Sequence, residues 1–589
     1  MTRRMITYCA AFLFTLLLIP DLSFGAGRSD VADAVMKGDR VSLRSLLQQR
    51  TDVDATQVDG ATALHWAVYR DDLEIVDMLL GAQAKVNIAN RDGVTPLSMA
   101  CLYGNVSIVK RLLSAGANAK ELGLNGETTL MLAARNGNPE VIKLLLNSGV
   151  NVNAKEPKRG TTALMWAVEQ RHPAAVKVLL DGGADFAAQS GGAGLPRNYM
   201  AARVNTSDVE LAARRHAAAA AAGRTYQEQL TYELGVLANS VGRRGDGAAV
   251  ATPPAVDTEV VVAGLVGAGG GGLTPLVFAA REGDIESAKL LIDAGANVNQ
   301  VTNYGWTPLL IATNNRHYKL GAFLIERGAD VNIANKGGWT PLYLATDNRN
   351  IEGGDYPVPK MDLDHLDFIK ILLDKGANPN VPVKDNTLTR TIFTMQWFFE
   401  TGATAFVRAA QSSDTTLMKL LLQFGADPQA RTEHGDTALT AAAGIGWVEG
   451  VTYEHSAKDN VDAVRMLLDL DLDANAANKD GRTPLMGAAL KGRNEVVQLL
   501  VDGGARLDIR DRGNRDSEDA GSQLAGHTWQ VLDYADGLVR VGVQSAISRT
   551  ETATLISKLM TERGLPVPPA NRVVESICIV EICKERVWQ

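Results

Sequence analysis

Eight histidines and four cysteines are the side chains of this 589-residue chain with most scope for nucleophilic, acid–base or metal chemistry. Their spacing gives them little to do together. The histidines, at 65, 172, 216, 317, 365, 434, 455 and 527, form no His-Glu-x-x-His pair, and no phosphate loop or nucleophile elbow accompanies them. The densest polar group is His365 with Asp362, Asp364 and Asp367, and acidic residues there suit a solvated first helical turn. Cys101 lies among small residues of an apolar stretch and reads as a buried structural thiol. Cys578 and Cys583 flank Ile579-Val580-Glu581-Ile582 near the C-terminus. In an oxidising compartment they are candidates for a local disulfide; a zinc site would want four ligands, and no histidine or further cysteine lies nearby. Catalytic, cofactor-binding and metal residues are therefore expected to be none. The alternative is an enzyme or metal-dependent activity housed in the insertions described below.

The elements that would position any site repeat on a fixed beat. Thr-Pro-Leu or a close variant occurs at Thr62, Thr95, Thr128, Thr162, Thr274, Thr307, Thr340, Thr404, Thr437 and Thr483. The steps are 33, 33 and 34, then 112, then 33, 33, 64, 33 and 46. A period of that length signals stacked repeats. Residues 92–120 show the grammar. Asp92-Gly93 makes a turn, Thr95 caps a helix and Pro96 suits its first position. Leu97, Met99, Ala100 and Cys101 give a short apolar face, and Gly104 ends the helix. Ile108, Val109, Leu112 and Leu113 stripe a second helix. Two such helices cannot bury their faces alone, so stability comes from neighbouring copies. Degenerate pairs from Ser29-Asp30 and from Val531 read as caps.

These residues resemble the ankyrin repeat. The family's Gly-Ala-Asp-Val-Asn tail is seen in Gly295-Ala296-Asn297-Val298-Asn299 and Gly328-Ala329-Asp330-Val331-Asn332. Only His65 keeps the family's usual helix histidine; Ser98, Met131, Met165, Val277 and Leu310 stand at the matching positions. The resemblance implies an all-α solenoid of about 12 helix-turn-helix repeats including degenerate caps, split into two arrays by an Ala/Gly-rich insertion. A closer resemblance, carried by Gly272-Leu273-Thr274-Pro275-Leu276, Gly402-Ala403-Thr404-Ala405-Phe406 and Cys578/Cys583, is to secreted or periplasmic bacterial ankyrin-repeat proteins. It implies architecture and export but no known activity.

The expected organisation is a signal peptide over 1–25, an N-terminal array over 26–189 and an insertion over 190–272. A C-terminal array follows over 273–565, with inserted loops at 348–364, 381–400 and 444–459, and then a tail over 566–589. The signal reading rests on Arg3-Arg4 followed by the apolar run 10–19, too short to span a bilayer, with small residues near Gly25 for cleavage. A periplasmic or secreted monomer with no membrane span after cleavage is expected. Cleavage removes two arginines and one aspartate and takes the net charge from −8 to −9, which argues against nucleic acid and anionic lipid as partners.

Solenoids present extended binding surfaces, so a non-enzymatic scaffold for a protein partner is the leading expectation, with no cofactor. The residue after each turn glycine is the variable one, and two of these are Trp306 and Trp339, one repeat or roughly 10 Å apart. With Tyr304, and with Trp397 and Phe398 of the second inserted loop, they form the expected partner-binding set. Trp66 and Trp166, before the helix alanine, read as core.

Overall fold

The computed structural model describes residues 29–191, 271–350, 360–384, 401–447, 453–512, 528–539 and 547–569. It also describes positions 218, 222, 229, 232 and 233, and the backbone of 573–575 and 584–586. The expected signal peptide, nearly all of the 190–272 insertion, Trp397, Phe398, Cys578 and Cys583 lie outside the described residues. Among those described there are twelve helix pairs, from Asp30–Lys37 with Arg40–Gln48 to Val531–Ala535 with Thr550–Glu562. The fold is the all-α repeat solenoid that the 33-residue beat implies. In the tail, two three-residue strands pair antiparallel, Val573 opposite Arg586.

Local chemistry explains each inner helix, the first of every pair. Thr95 is extended, and its hydroxyl accepts from the Ser98 N–H at 3.1 Å while Pro96 fills the first helical position. The same cap recurs at Thr437, whose hydroxyl accepts from Thr440 N at 3.1 Å. Gly104 closes the helix at φ 74°, a left-handed conformation that a β-carbon would strain. His65 shows what the missing histidines would do. One ring nitrogen accepts from Thr62 N at 3.1 Å, and the other meets the Val94 carbonyl of the next repeat at 2.9 Å. Ser98 restores the near half of that bridge, accepting from Thr95 N at 2.9 Å, but is too short for the far half.

Successive repeats are clamped by the asparagine of the Val-Asn tail. Asn332 donates to the Gly376 carbonyl at 2.9 Å and accepts from Asn378 N at 2.8 Å. Asn380 does the same toward Gly425 and Asp427. Asn87, Asn153, Asn299 and Asn475 make equivalent rungs. The Asn332 rung spans residues 348–364 and the Asn380 rung spans 381–400, so these insertions leave the repeat interface intact.

The chain divides into two compact units, residues 1–191 with 274–296, and residues 192–273 with 297–589. The packing boundary thus differs from the sequence boundary by one repeat. Helices Pro275–Glu282 and Ile285–Asp293 stack on Ala163–Glu169 and Pro173–Asp181 of the first unit. Arg281 reaches across the insertion to Glu169 at 2.8 Å. The reason is that repeat faces are interchangeable: an insertion between copies does not remove the apolar face that the next copy must bury. Among the described residues no helix is long and apolar enough to cross a membrane.

Candidate functional site

The set expected to meet a partner is buried where it can be seen. Trp306 is 0% exposed, Trp339 1% and Tyr304 7%. Each turn is overlaid by the next, as Lys336 N donates to the Tyr304 carbonyl at 3.0 Å. The Trp339 ring also stands edge-on to Tyr343 at 4.9 Å. The residue after the turn glycine is therefore sandwiched in the second unit, and these aromatics hold the stack together rather than face a ligand.

The open aromatic surface is in the first unit instead, on the inner helices. Four residues after each capping threonine come Trp66, Met99, Leu132 and Trp166, all half-buried. Tyr69 and Tyr103 beside them are 59% and 48% exposed. Both indoles have their polar edge tied down: Trp66 Nε1 donates to Gln57 Oε1 at 2.6 Å, and Trp166 Nε1 to Thr161 Oγ1 at 2.8 Å. Trp66 packs edge-on against Tyr69 at 5.6 Å, and Tyr69 against Tyr103 at 6.2 Å. Rings held this way give large contact area at low entropic cost, as binding hot spots require. The stripe closes at the fifth copy, where Phe278 is buried, Arg281 stacks over it at 4.7 Å, and Arg281 pairs with Glu169. Trp66 and Trp166, read as core from sequence, are half-open in the structure. The available signal was their recurrence at one helix position with Met99 and Leu132 between them.

The corresponding column of the second unit, Ile311, Leu344, Arg408 and Ala441, is buried throughout. Every residue of Ala405–Gln411 is buried, so that inner helix has no open side. Charges there are consumed internally. Arg408 Nε pairs with Asp347 at 2.8 Å and its other arm donates to the Asn350 carbonyl at 2.7 Å. Arg349 pairs with buried Asp414 at 2.7 Å, and His455 approaches Asp414 at 3.6 Å and Asn350 at 3.3 Å. Burial alone would raise the Asp414 carboxyl. The hydrogen bonds from His455 and Arg349 outweigh it and hold the group at about 2. Residues of the first and third inserted loops, Asn350 and His455, meet in this cluster. Glu454 of the third loop also binds Lys491 and Arg493, each at 2.6 Å, and burial pushes Lys491 down to about 8 in spite of that partner.

His365 opens the helix His365–Asp374, where exposed Asp364 caps and exposed Asp367 sits in the first turn, as the acidic residues implied, but the imidazole itself is not solvated. It is buried against Tyr318, whose hydroxyl lies 2.8 Å from Nδ1, and burial with nearby Arg316 and Arg349 pushes it down to about 4. Cys101 is fully buried, and burial raises its thiol, as a structural cysteine should show. Among the described residues no group of three or more His, Cys, Asp or Glu is placed to hold a metal ion.

Comparison with known proteins agrees with the architecture. A family profile described as ankyrin repeats (3 copies) matches residues 31–122, 115–190, 257–335, 276–383 and 406–511. Ankyrin repeat and SOCS box protein 16 of Homo sapiens is 32% identical over 161 residues, which are 24% of this chain and 34% of that protein. Ankyrin repeat domain-containing protein 63 of Homo sapiens is 35% identical over 121 residues, 20% of this chain and 28% of that one. The chain thus spans about a third or less of the length of these curated relatives. A crystal structure of the human ASB11 ankyrin repeat domain aligns with a TM-score of 0.35 at 22% identity, covering 51% of this chain and 99% of that one. These relatives bear on the repeat and not on export.

Proposed function

This chain belongs to the ankyrin-repeat family, and from that premise we propose that it is a non-enzymatic scaffold gripping a protein partner along the Trp66–Met99–Leu132–Trp166 stripe of its first unit. The observation that carries the reading is the contrast in exposure. Four of the five column residues of the first unit, Trp66, Met99, Leu132 and Trp166, are half-open, whereas Ile311, Leu344, Arg408 and Ala441 of the second are buried. A half-open row of large apolar side chains on a soluble surface is what a recognition face presents. The second unit serves as a rigid, self-sealed mount.

The proposed location is the periplasm or the cell exterior, as in the secreted bacterial ankyrin proteins this chain resembles. It rests on Arg3-Arg4 and the short apolar run behind them. N-terminal sequencing of the protein recovered from fractionated cells tests it: a mature end near Ala26 outside the cytosol is expected, and an intact Met1 in the cytosol sinks it. The scaffold reading is tested by immobilising the full mature chain against an envelope extract. Proteins retained by the native chain are expected to be lost with Trp66→Ala/Trp166→Ala and kept with Arg111→Ala, a substitution on an outer helix. Equal retention by all three chains would refute the stripe as the interface.

A further inference from the structure

Beside the stripe, at the corner where inner and outer helices join, lies an open cavity of about 820 Å³ between the second and third helix pairs. Its walls include the Tyr69 and Tyr103 rings, the Asp71 carboxylate, the Asn105 amide and the Ser107 hydroxyl, with Val106 at the floor. The corner one repeat earlier has no such space, because the Arg70 guanidinium lies over Gly38 and donates to the Met36 carbonyl at 3.2 Å. A repeat further on, the Asn136 side chain lies over Gly104, and a repeat beyond that the His172 ring lies over Gly137, its Nε2 meeting the Arg135 carbonyl at 3.1 Å. The neighbouring corners are thus occupied by side chains of the following repeat.

Its lining restricts the chemistry of an occupant. No lysine, arginine or histidine lines it, and Asp71 does, which disfavours an anion. Val106 and Ser107 begin a nine-residue helix, whose unpaired first N–H groups disfavour a cation. Three polar side chains and two phenol hydroxyls disfavour a purely apolar molecule, which would leave them unsolvated. What suits every wall is a neutral ring with hydroxyls on its rim and an apolar face. The amide is already fixed: Asn105 Oδ1 accepts from Ile108 N at 2.8 Å, and its Nδ2 donates to Asp71 Oδ1. That bond orients the carboxylate and leaves Oδ2 to accept from a ligand hydroxyl. Ser107 can donate or accept. The tyrosines, set at 64° to one another, offer ring faces and hydroxyls together.

We propose that this corner is a saccharide-binding site that takes a short neutral oligosaccharide, with Tyr69 and Tyr103 as stacking walls and Asp71 as the principal acceptor of ligand hydroxyls. The volume lies within the 300–1,000 Å³ range usual for ligand pockets. The site goes beyond the protein-scaffold reading and does not rest on it, although Tyr69 borders both surfaces.

The test is calorimetric titration of the full mature chain with cellotetraose, chitotetraose, maltotetraose and xylotetraose, with sodium acetate and tetramethylammonium chloride as charge controls. At least one tetrasaccharide is expected to bind with a dissociation constant of about 1 mM or tighter. Tyr103→Ala should weaken it at least about tenfold and Asp71→Asn several-fold. Tyr103→Phe should keep most of the affinity, and Trp166→Ala all of it, which separates this site from the protein-binding stripe. Failure of all four sugars, comparable binding of either ion, or unchanged affinity in Tyr103→Ala overturns the proposal. Both tyrosines are exposed, so unchanged thermal unfolding of the variants is the expected control.

Discussion

The two units are built from the same repeat and use their inner helices in opposite ways. In the first, the fourth residue past four of the five capping threonines is half-open and apolar: Trp66, Met99, Leu132, Trp166. In the second, the same column is buried and one member is Arg408, which is tolerated because Asp347 and the Asn350 carbonyl satisfy it. The difference teaches that exposure is not a property of a repeat position. The scaffold sets where a side chain points, and the surrounding chain decides whether it meets solvent.

The sharpest way to break that comparison is to truncate one tryptophan of each kind. Trp306→Ala empties a fully buried site and should destabilise the second unit by about 3–5 kcal/mol. Trp66→Ala, half-exposed, should cost clearly less. Urea unfolding of the full chain followed by circular dichroism compares them, and equal costs would contradict the open-versus-sealed contrast.

Next in size is the acid sensitivity of the buried ion cluster. The Asp414 carboxyl is depressed from its ordinary 3.8 to about 2. A depressed carboxylate stabilises the fold above its unfolded value, and that stability is lost as pH falls from about 4 to 2. The loss should be about 2 kcal/mol, confined to the second unit. Asp414→Asn should flatten this part of the pH–stability curve; an unchanged acid limb would show that the cluster contributes nothing.

Smaller effects come from the asparagine ladder. Asn332→Ala removes two hydrogen bonds between repeats and should cost about 1–2 kcal/mol. Lys120 occupies the rung position between those of Asn87 and Asn153 in the first unit, and its ammonium lies near Gly149. Lys120→Asn should rebuild the rung and stabilise the first unit by about 0.5–1 kcal/mol. Differential scanning calorimetry can resolve a gain of that size, and no gain would mean that a rung at this junction adds nothing to the repeat interface.

Much of the fold was legible because its causes are local. Thr95, Pro96 and Gly104 start and stop a helix through bonds to their own neighbours. The degenerate caps at Ser29 and Val531 were readable for the same reason. The domain boundary was less so, since the sequence break at 190–272 does not coincide with the packing break after Ala296. The candidate surface was the least legible part. Trp306 and Trp339 carry the composition of a hot spot yet are fully buried, and Trp66 and Trp166 carry the position of a core residue yet are half-open.

Sequence alone determined the repeat, its period and its helix caps, because each depends on residues a few positions apart or on a recurring phrase. Tertiary structure alone decided which aromatics are sealed, how Asn350 and His455 from two inserted loops converge on Asp414, and that one corner beside Tyr103 stays open. Those outcomes depend on distant segments competing for the same space, and burial is set by whatever covers a side chain rather than by the side chain itself.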